Sequence, residues 1–208
     1  MDEAKPVIEI TALRRKDKRK AVDWAIEGMK FDRYFTSKRL TRLFGYYFWY
    51  DTCTTATRMY GAYLDGTCVG VMINTFAGEP KPYSTWFGRT FVRIFQWRAM
   101  KKYPEDALRY HQTNEEMYQE AFGNNPPDGS IDLLAADPHS TVRGIGTALL
   151  NELIRTDAGK AVYLNTDGDC TYQFYEHRGF ERVNTRNIML KYGDREVPLV
   201  CYLYARKL

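Results

Sequence analysis

Residues 131–154 read IDLLAADPHSTVRGIGTALLNELI: an apolar, strand-like run passes through Asp137-Pro138 and a short polar loop to Gly144 and Gly146, which open an amphipathic helix. Glycines at those two positions let the backbone approach a ligand without a Cβ in the way. The N–H groups of a helix's first turn have no partner inside the helix and point outward. Together these features make a cradle for phosphate. The Walker phosphate loop is absent, and the dinucleotide pattern GxGxxG fails because Leu149 stands where its third glycine belongs. Taken alone, the glycine pair also fits the flexible start of an ordinary helix.

The same stretch resembles the GNAT superfamily of N-acetyltransferases. Its acetyl-CoA motif, which follows a central strand, is Gln or Arg, any two residues, Gly, any residue, then Gly or Ala. Thr141-Val142-Arg143-Gly144-Ile145-Gly146 matches it except at Thr141, which stands for Gln or Arg. FYEHRGFERV, residues 174–183, resembles the superfamily's next segment, a helix bearing a Tyr followed by Gly-Phe and a strand. The resemblance implies an α/β (α+β) fold with a mixed, mostly antiparallel sheet, whose splayed central strands are flanked by helices. It implies one domain over residues 1–208, interrupted by a helical insertion at about 78–125 that shapes the acceptor pocket.

It also implies the cosubstrate acetyl-CoA, seated between strands 131–136 and 161–164, with no metal. The backbone N–H of Leu134 would hold the thioester carbonyl, with Ala135 and Ala136 running along pantetheine. Thr141, Val142, Arg143, Gly144, Ile145, Gly146 and Thr147 would surround the pyrophosphate. A neutral amine attacks the thioester, charge grows on its oxygen, and a preorganised N–H stabilises that charge; loss of one such donor typically costs ~3 kcal/mol of barrier. Tyr175 matches the superfamily's general acid, which protonates the departing thiolate. As a core aromatic it would instead only pack beside Phe174.

An amine acceptor arrives protonated, with a lysine-like pKa near ~10.4, so a base is needed. Ser130 stands where some relatives carry Glu. Asp132, two residues before Leu134 and so on the same face of a regular strand, is the chosen candidate; it also reads as a solvated edge residue. Glu79, near the end of a hairpin, is a second choice. His139 and His177 read as surface residues, and His111 has no assigned role. Cys170 admits an acyl-enzyme alternative, set aside because no His adjoins it and the family transfers directly. The missing Glu keeps a second class open, a silent acyl-CoA-binding sensor.

The elements that must carry these residues follow from pattern. Residues 7–10 read as a strand and 21–29 as a helix. A second helix opens at Ser37, with Leu40, Leu43, Phe44, Tyr47, Phe48 and Tyr50 expected on its buried stripe. Runs 60–64 and 67–74 flank Asp65-Gly66, a strong hairpin signal. Residues 81–103 hold six cations, no acid and seven aromatics. Positions 87, 91, 94, 95 and 98 share a face expected to enter the core, closing a lid over the pocket; an interfacial helix leaning on anionic lipid is the alternative. Pro104, Glu105 and Asp106 signal the start of another helix reaching about residue 122. Helices over 144–155 and 170–178 and strands over 131–136, 161–164, 182–190 and 197–204 complete the order.

Composition excludes several classes. A chain of 208 residues with 44% hydrophobic and 27% charged side chains is neither disordered nor fibrous. No apolar run reaches the ~18–20 residues of a membrane span. The first ten residues lack a signal pattern, and four scattered cysteines suggest neither zinc nor a disulfide framework, so a reducing cytoplasm is expected. A net charge of +4 is too mild for a nucleic-acid binder. The partners expected are acetyl-CoA and an amine acceptor, with room for a homodimer.

Overall fold

The structure, a computed structural model, describes residues 7–103, 108–192 and 195–208. The helix-start signal at Pro104, Glu105 and Asp106 lies outside the described residues. Seven strands form one sheet in the order β1-β2-β3-β4-β5-β7-β6. They are β1 (Glu9–Ala12), β2 (Arg58–Leu64), β3 (Thr67–Phe76), β4 (Gly129–Ala136), β5 (Ala161–Asp167), β6 (Glu181–Tyr192) and β7 (Arg195–Lys207). Every pairing is antiparallel except β4 with β5. The expected mixed, mostly antiparallel sheet is therefore present.

The helices are α1 (Lys18–Gly28), α2 (Lys38–Thr55), α3 (Trp86–Lys102), α4 (Arg109–Phe122), α5 (Ile145–Thr156) and the short α6 (Gln173–Glu176). Asp65 and Gly66 both adopt positive φ, 49° and 76°, and turn β2 into β3 as the Asp-Gly pair requires. One face of the sheet is covered by α5: Leu149, Leu150 and Leu153 pack on Met72, Ile131, Leu164 and Tyr204, drawn from both halves of the sheet. The opposite face is divided. Helices α1 and α2 cover Val71, Ile73 and Leu133, while α4 covers Cys201, Leu203 and Tyr163 through Met117.

Two expectations of burial are corrected. In α2 the buried residues are Thr41, Gly45, Trp49 and Cys53, one helical turn apart, whereas Leu40 and Leu43 are exposed. A Cβ on Gly45 would stand 2.5 Å from Ile26 Cδ1, so the stripe that contains Gly45 wins because it lets α1 and α2 approach closely there. The aromatic stripe is displaced outward to receive α3, with Tyr47 stacked on Phe95 at 4.2 Å and Tyr50 against Phe91 at 5.4 Å. Helix α3 does not enter the core: only Gly88 and Val92 are buried, and Phe87, Ile94 and Trp97 are exposed. Thr85 caps it by accepting the Gly88 N–H at 3.1 Å. The helix expected over 170–178 contracts to one turn, with bends and turns on either side.

Candidate functional site

The opening in the sheet is defined by where pairing stops. Strand β4 pairs with β5 only at Gly129–Val162 and Ser130–Tyr163, and beyond Ser130 the two parallel strands part. On its other edge β4 stays bonded to β3 as far as Ala136. The Asp137 N–H donates to Val69 O on β3 at 2.8 Å. Alternation along an extended strand then turns the Ala135 N–H to β3 and those of Leu134 and Ala136 to the edge vacated by β5. The gap is thus lined by the Leu134 and Ala136 main-chain N–H groups, which have no partner among the described residues.

Helix α5 begins where that edge ends. Asp137 Oδ1 accepts the His139 N–H at 2.9 Å and Ser140 Oγ accepts the Val142 N–H at 3.2 Å, folding the loop compactly. Gly144 caps the helix at φ 88°, a left-handed conformation that favours glycine, and no side chain bonds to the first-turn N–H groups. Those donors and the positive end of the helix dipole face outward. Gly70 sets the helix head on the sheet, since a Cβ there would lie 2.5 Å from Ile145 Cγ2. Thr141, Arg143 and Gly144 are exposed, whereas Ile145 is buried and contributes only backbone.

Arg178 was not foreseen. Its guanidinium donates to Thr147 Oγ1 at 2.6 Å, while its Nε is buried without a hydrogen-bond partner. This adds a permanent cation to the head of α5. The only sequence signal was a basic residue beside the Gly-Phe of the 174–183 segment.

Tyr175 packs among Phe174, Phe180 and Tyr204 on the α5 side of the sheet. Burial, and secondarily the nearby Cys170, pushes its phenol well above the ordinary value, so it keeps its proton. Cys170 is itself pushed up to about 12 by burial and the charge of Asp167. Its thiol is protonated at neutral pH, which disfavours the acyl-enzyme alternative.

Asp132 departs from the expected face. Ile73 pairs with Leu133 and Asn74 with Ile131, so Asp132 is the extra residue of a β-bulge. Leu134 packs toward α5, whereas the Asp132 carboxylate accepts from Thr75 Oγ1 and Ser130 Oγ, both at 2.6 Å. Thr75 alternates with Ile73, which places this group on the α1–α2 side, just past the last β4–β5 pair. Burial raises the Asp132 pKa. Tyr163, the β5 partner of Ser130 at that last pair, is pushed up to about 12 by burial and then by the charge of Asp132. Its ring lies 4.9 Å from that of Tyr118 on α4.

The remaining candidates are placed elsewhere. Glu79 bonds to Arg58 Nε at 2.9 Å and is held below its usual pKa mainly by that hydrogen bond, so it is a poor base. Its partner Arg58 also binds Asp157 at the C-terminal end of α5, away from Gly144. The side chain of His139 is 82% exposed, and His111 and His177 are also on the surface.

The sequence profile of the acetyltransferase (GNAT) family matches residues 24–180, well over half of the chain, and the chain belongs to that family. Over 68 residues it is 39% identical to the N-alpha-acetyltransferase RimI of Mycobacterium tuberculosis (strain ATCC 25618 / H37Rv); the match takes in 31% of this chain and 43% of that protein, under half its length. Among solved structures, the fold is similar to a histone acetyltransferase HPA2 and related acetyltransferase from Corynebacterium glutamicum ATCC 13032. That likeness has a TM-score of 0.57 at 18% identity over 94% of each chain. It is also similar to an N-acetyltransferase from Staphylococcus aureus Mu50, with a TM-score of 0.56 at 14% identity over 95% of this chain and 100% of that one. A mutant of agmatine N-acetyltransferase in its apo form gives 0.56 at 9% identity, over 96% of this chain and 99% of that one.

Proposed function

We propose that this chain is an acetyl-CoA-dependent N-acetyltransferase, one domain over 1–208, that acetylates a primary amine of a small molecule or peptide by direct attack. The observation that carries the reading is the parting of β4 from β5 after Ser130, together with a helix head at Gly144 that no side chain caps. When bound, acetyl-CoA supplies the activated acetyl group. The first-turn amides of α5, with Arg143 and Arg178, hold the diphosphate; Leu134 and Ala136 direct free N–H groups along the cleft. The Leu134 amide stabilises charge as it develops on the carbonyl oxygen. Tyr175 retains its proton until the thiolate leaves and then donates it.

The amine reaches the cleft from the α1–α2 and α4 side, between Asp132 and Tyr163, and Asp132 accepts its proton. The α3–α4 segment within 78–125 shapes this acceptor side. An α-amino group, the position of acetylation in the mycobacterial relative's name, falls within the range of acceptors. The sensor reading draws on one observation: both oxygens of Asp132 already accept hydrogen bonds.

Titration calorimetry with acetyl-CoA, followed by thiol release over a panel of amines that includes peptide amino termini, tests the proposal. Binding with turnover supports the enzyme. Binding without turnover on any amine favours the sensor, and absence of binding to both CoA and acetyl-CoA overturns both readings.

A further inference from the structure

Acetyl transfer gives no account of the outer side of α3. This helix is held to the protein by rings stacked on α2, and of its 17 residues only Gly88 and Val92 are buried. On the side facing away from Val92, Trp86, Arg93, Trp97 and Lys101 recur seven, four and four residues apart, which is one stripe of an α-helix. Trp86 is 74% exposed, Trp97 53% and the flanking Ile94 50%. The helix carries Arg89, Arg93, Arg98, Lys101 and Lys102 and no carboxylate. None of the five forms an ion pair with a described residue; Arg89 bonds to Ser84, and Lys101 lies over the Trp97 ring at 4.1 Å.

Indole rings flanked by cations on one helical face match the boundary between water and an anionic bilayer. The rings sit at headgroup depth with their N–H still wet, while long basic side chains lay apolar stems inward and charges toward lipid phosphate. A second copy of the chain is the poorer occupant. A two-fold contact through this face would set its uncompensated cations against an identical set.

We propose that α3 is a docking helix that lays Trp86, Ile94 and Trp97 on an anionic lipid surface, with Arg93 and Lys101 supplying the electrostatic attraction. This does not depend on the acetyl-transfer reading.

The test uses the full chain with phosphatidylcholine vesicles and with vesicles that also contain phosphatidylserine, at low and at high salt. Co-sedimentation with the anionic vesicles alone, weakened by salt, is expected. Trp24 and Trp49 are buried, so protection of tryptophan fluorescence from iodide reports on Trp86 and Trp97. The double variant Trp86→Ala/Trp97→Ala should abolish binding. Arg93→Gln/Lys101→Gln should weaken it roughly fivefold per charge removed. These positions are exposed, so circular dichroism and melting should match the parent. No binding to anionic vesicles, equal binding to neutral ones, or binding untouched by both variants overturns the proposal. Concentration-dependent dimerisation abolished by the tryptophan variant overturns it too.

Discussion

Arg178, just after α6, donates a 2.6 Å hydrogen bond to Thr147 in the first turn of α5, so a guanidinium and the positive end of a helix dipole share one place. Two positive groups side by side repel unless an anion lies between them and solvent. Thr147 orients the guanidinium, whose buried Nε has no partner. Arg178→Gln is expected to weaken acetyl-CoA binding about tenfold or more, in line with ~1.5–3 kcal/mol for a charge-assisted hydrogen bond. Arg178→Lys should fall between, since it keeps charge but loses the planar fork. Calorimetry reads both, and an unchanged affinity in the Gln variant would remove Arg178 from the cradle.

Tyr175→Phe separates packing from proton donation. The ring contacts with Phe174, Phe180 and Tyr204 survive the change, so melting should be preserved and acetyl-CoA affinity unaltered. Turnover should drop about 10²–10⁴-fold, the usual contribution of a positioned acid. Thiol release at saturating acetyl-CoA measures it, and parental turnover in this variant would confine Tyr175 to packing.

Gly144→Ala should weaken the cradle through the backbone. At φ 88° an alanine is strained by about 1–2 kcal/mol, although nothing within 4 Å obstructs its Cβ. A lower melting temperature together with weaker acetyl-CoA binding is expected. Gly144→Asn, which tolerates the left-handed region better, should recover part of both. Equal losses for Ala and Asn would argue that the conformation is not what matters.

What could be read beforehand was whatever local chemistry decides. The Asp65-Gly66 turn, the β4 run into α5 and the glycine cap all depend on residues near in sequence. Where tertiary competition decides, the reading failed. The α2 stripe went to Gly45 because Ile26 of another helix needed the space, and Phe87 and Ile94 of the face expected to enter the core stay exposed because α3 rests on the rings of α2. The bulge at Asp132 has no turn residue to announce it, yet it moves the carboxylate to the opposite side from Leu134. The closeness of Arg178 to Thr147 depends on how α6 meets α5, which no spacing rule contains.

Asp132→Asn distinguishes a base from a structural carboxylate. Burial raises the pKa of Asp132, so the folded state disfavours its charge; that destabilisation sets in as pH rises through the unfolded value of ~3.9 toward the higher folded one. The amide, uncharged at every pH, should therefore melt no lower than the parent near neutral pH, since Ser130 and Thr75 can reorient their hydroxyls. As proton acceptor, however, Asp132 would be missed: kcat/KM should fall about 10²-fold or more, and the acidic limb of its pH profile should disappear. A parental pH profile in the variant would hand the role of base to another group or to water.

Arg58 holds the far end of α5, and acid should reveal it. Its Nη1 donates to Asp157 Oδ2 at 2.6 Å and its Nε to Glu79 at 2.9 Å, while Lys160 reaches Asp157 Oδ1 at 2.8 Å. Burial alone would raise Asp157, but the ion pair with Lys160, the Thr156 hydrogen bond and the Arg58 charge outweigh it, and both Asp157 and Glu79 lie below their usual values. Depressed carboxylate pKa values stabilise the folded state above the unfolded values of ~3.9 and ~4.3 and lose that stabilisation as pH falls through them toward the folded ones. Removing Arg58 leaves the Asp157 side chain, 1% exposed, with Lys160 as its remaining cation. Arg58→Met should cost about 2–3 kcal/mol near neutral pH, less than the ~3–5 kcal/mol of a fully buried pair because Arg58 is itself 27% exposed. The parent's advantage should shrink as pH drops below about 4, where both carboxylates in the unfolded chain take up protons. Melting curves of the two proteins from neutral pH to pH ~3 would show the gap narrowing. A gap that stays constant would mean that packing of Arg58 on the Phe76 ring, 4.6 Å away, and not its charge, secures this end of the helix.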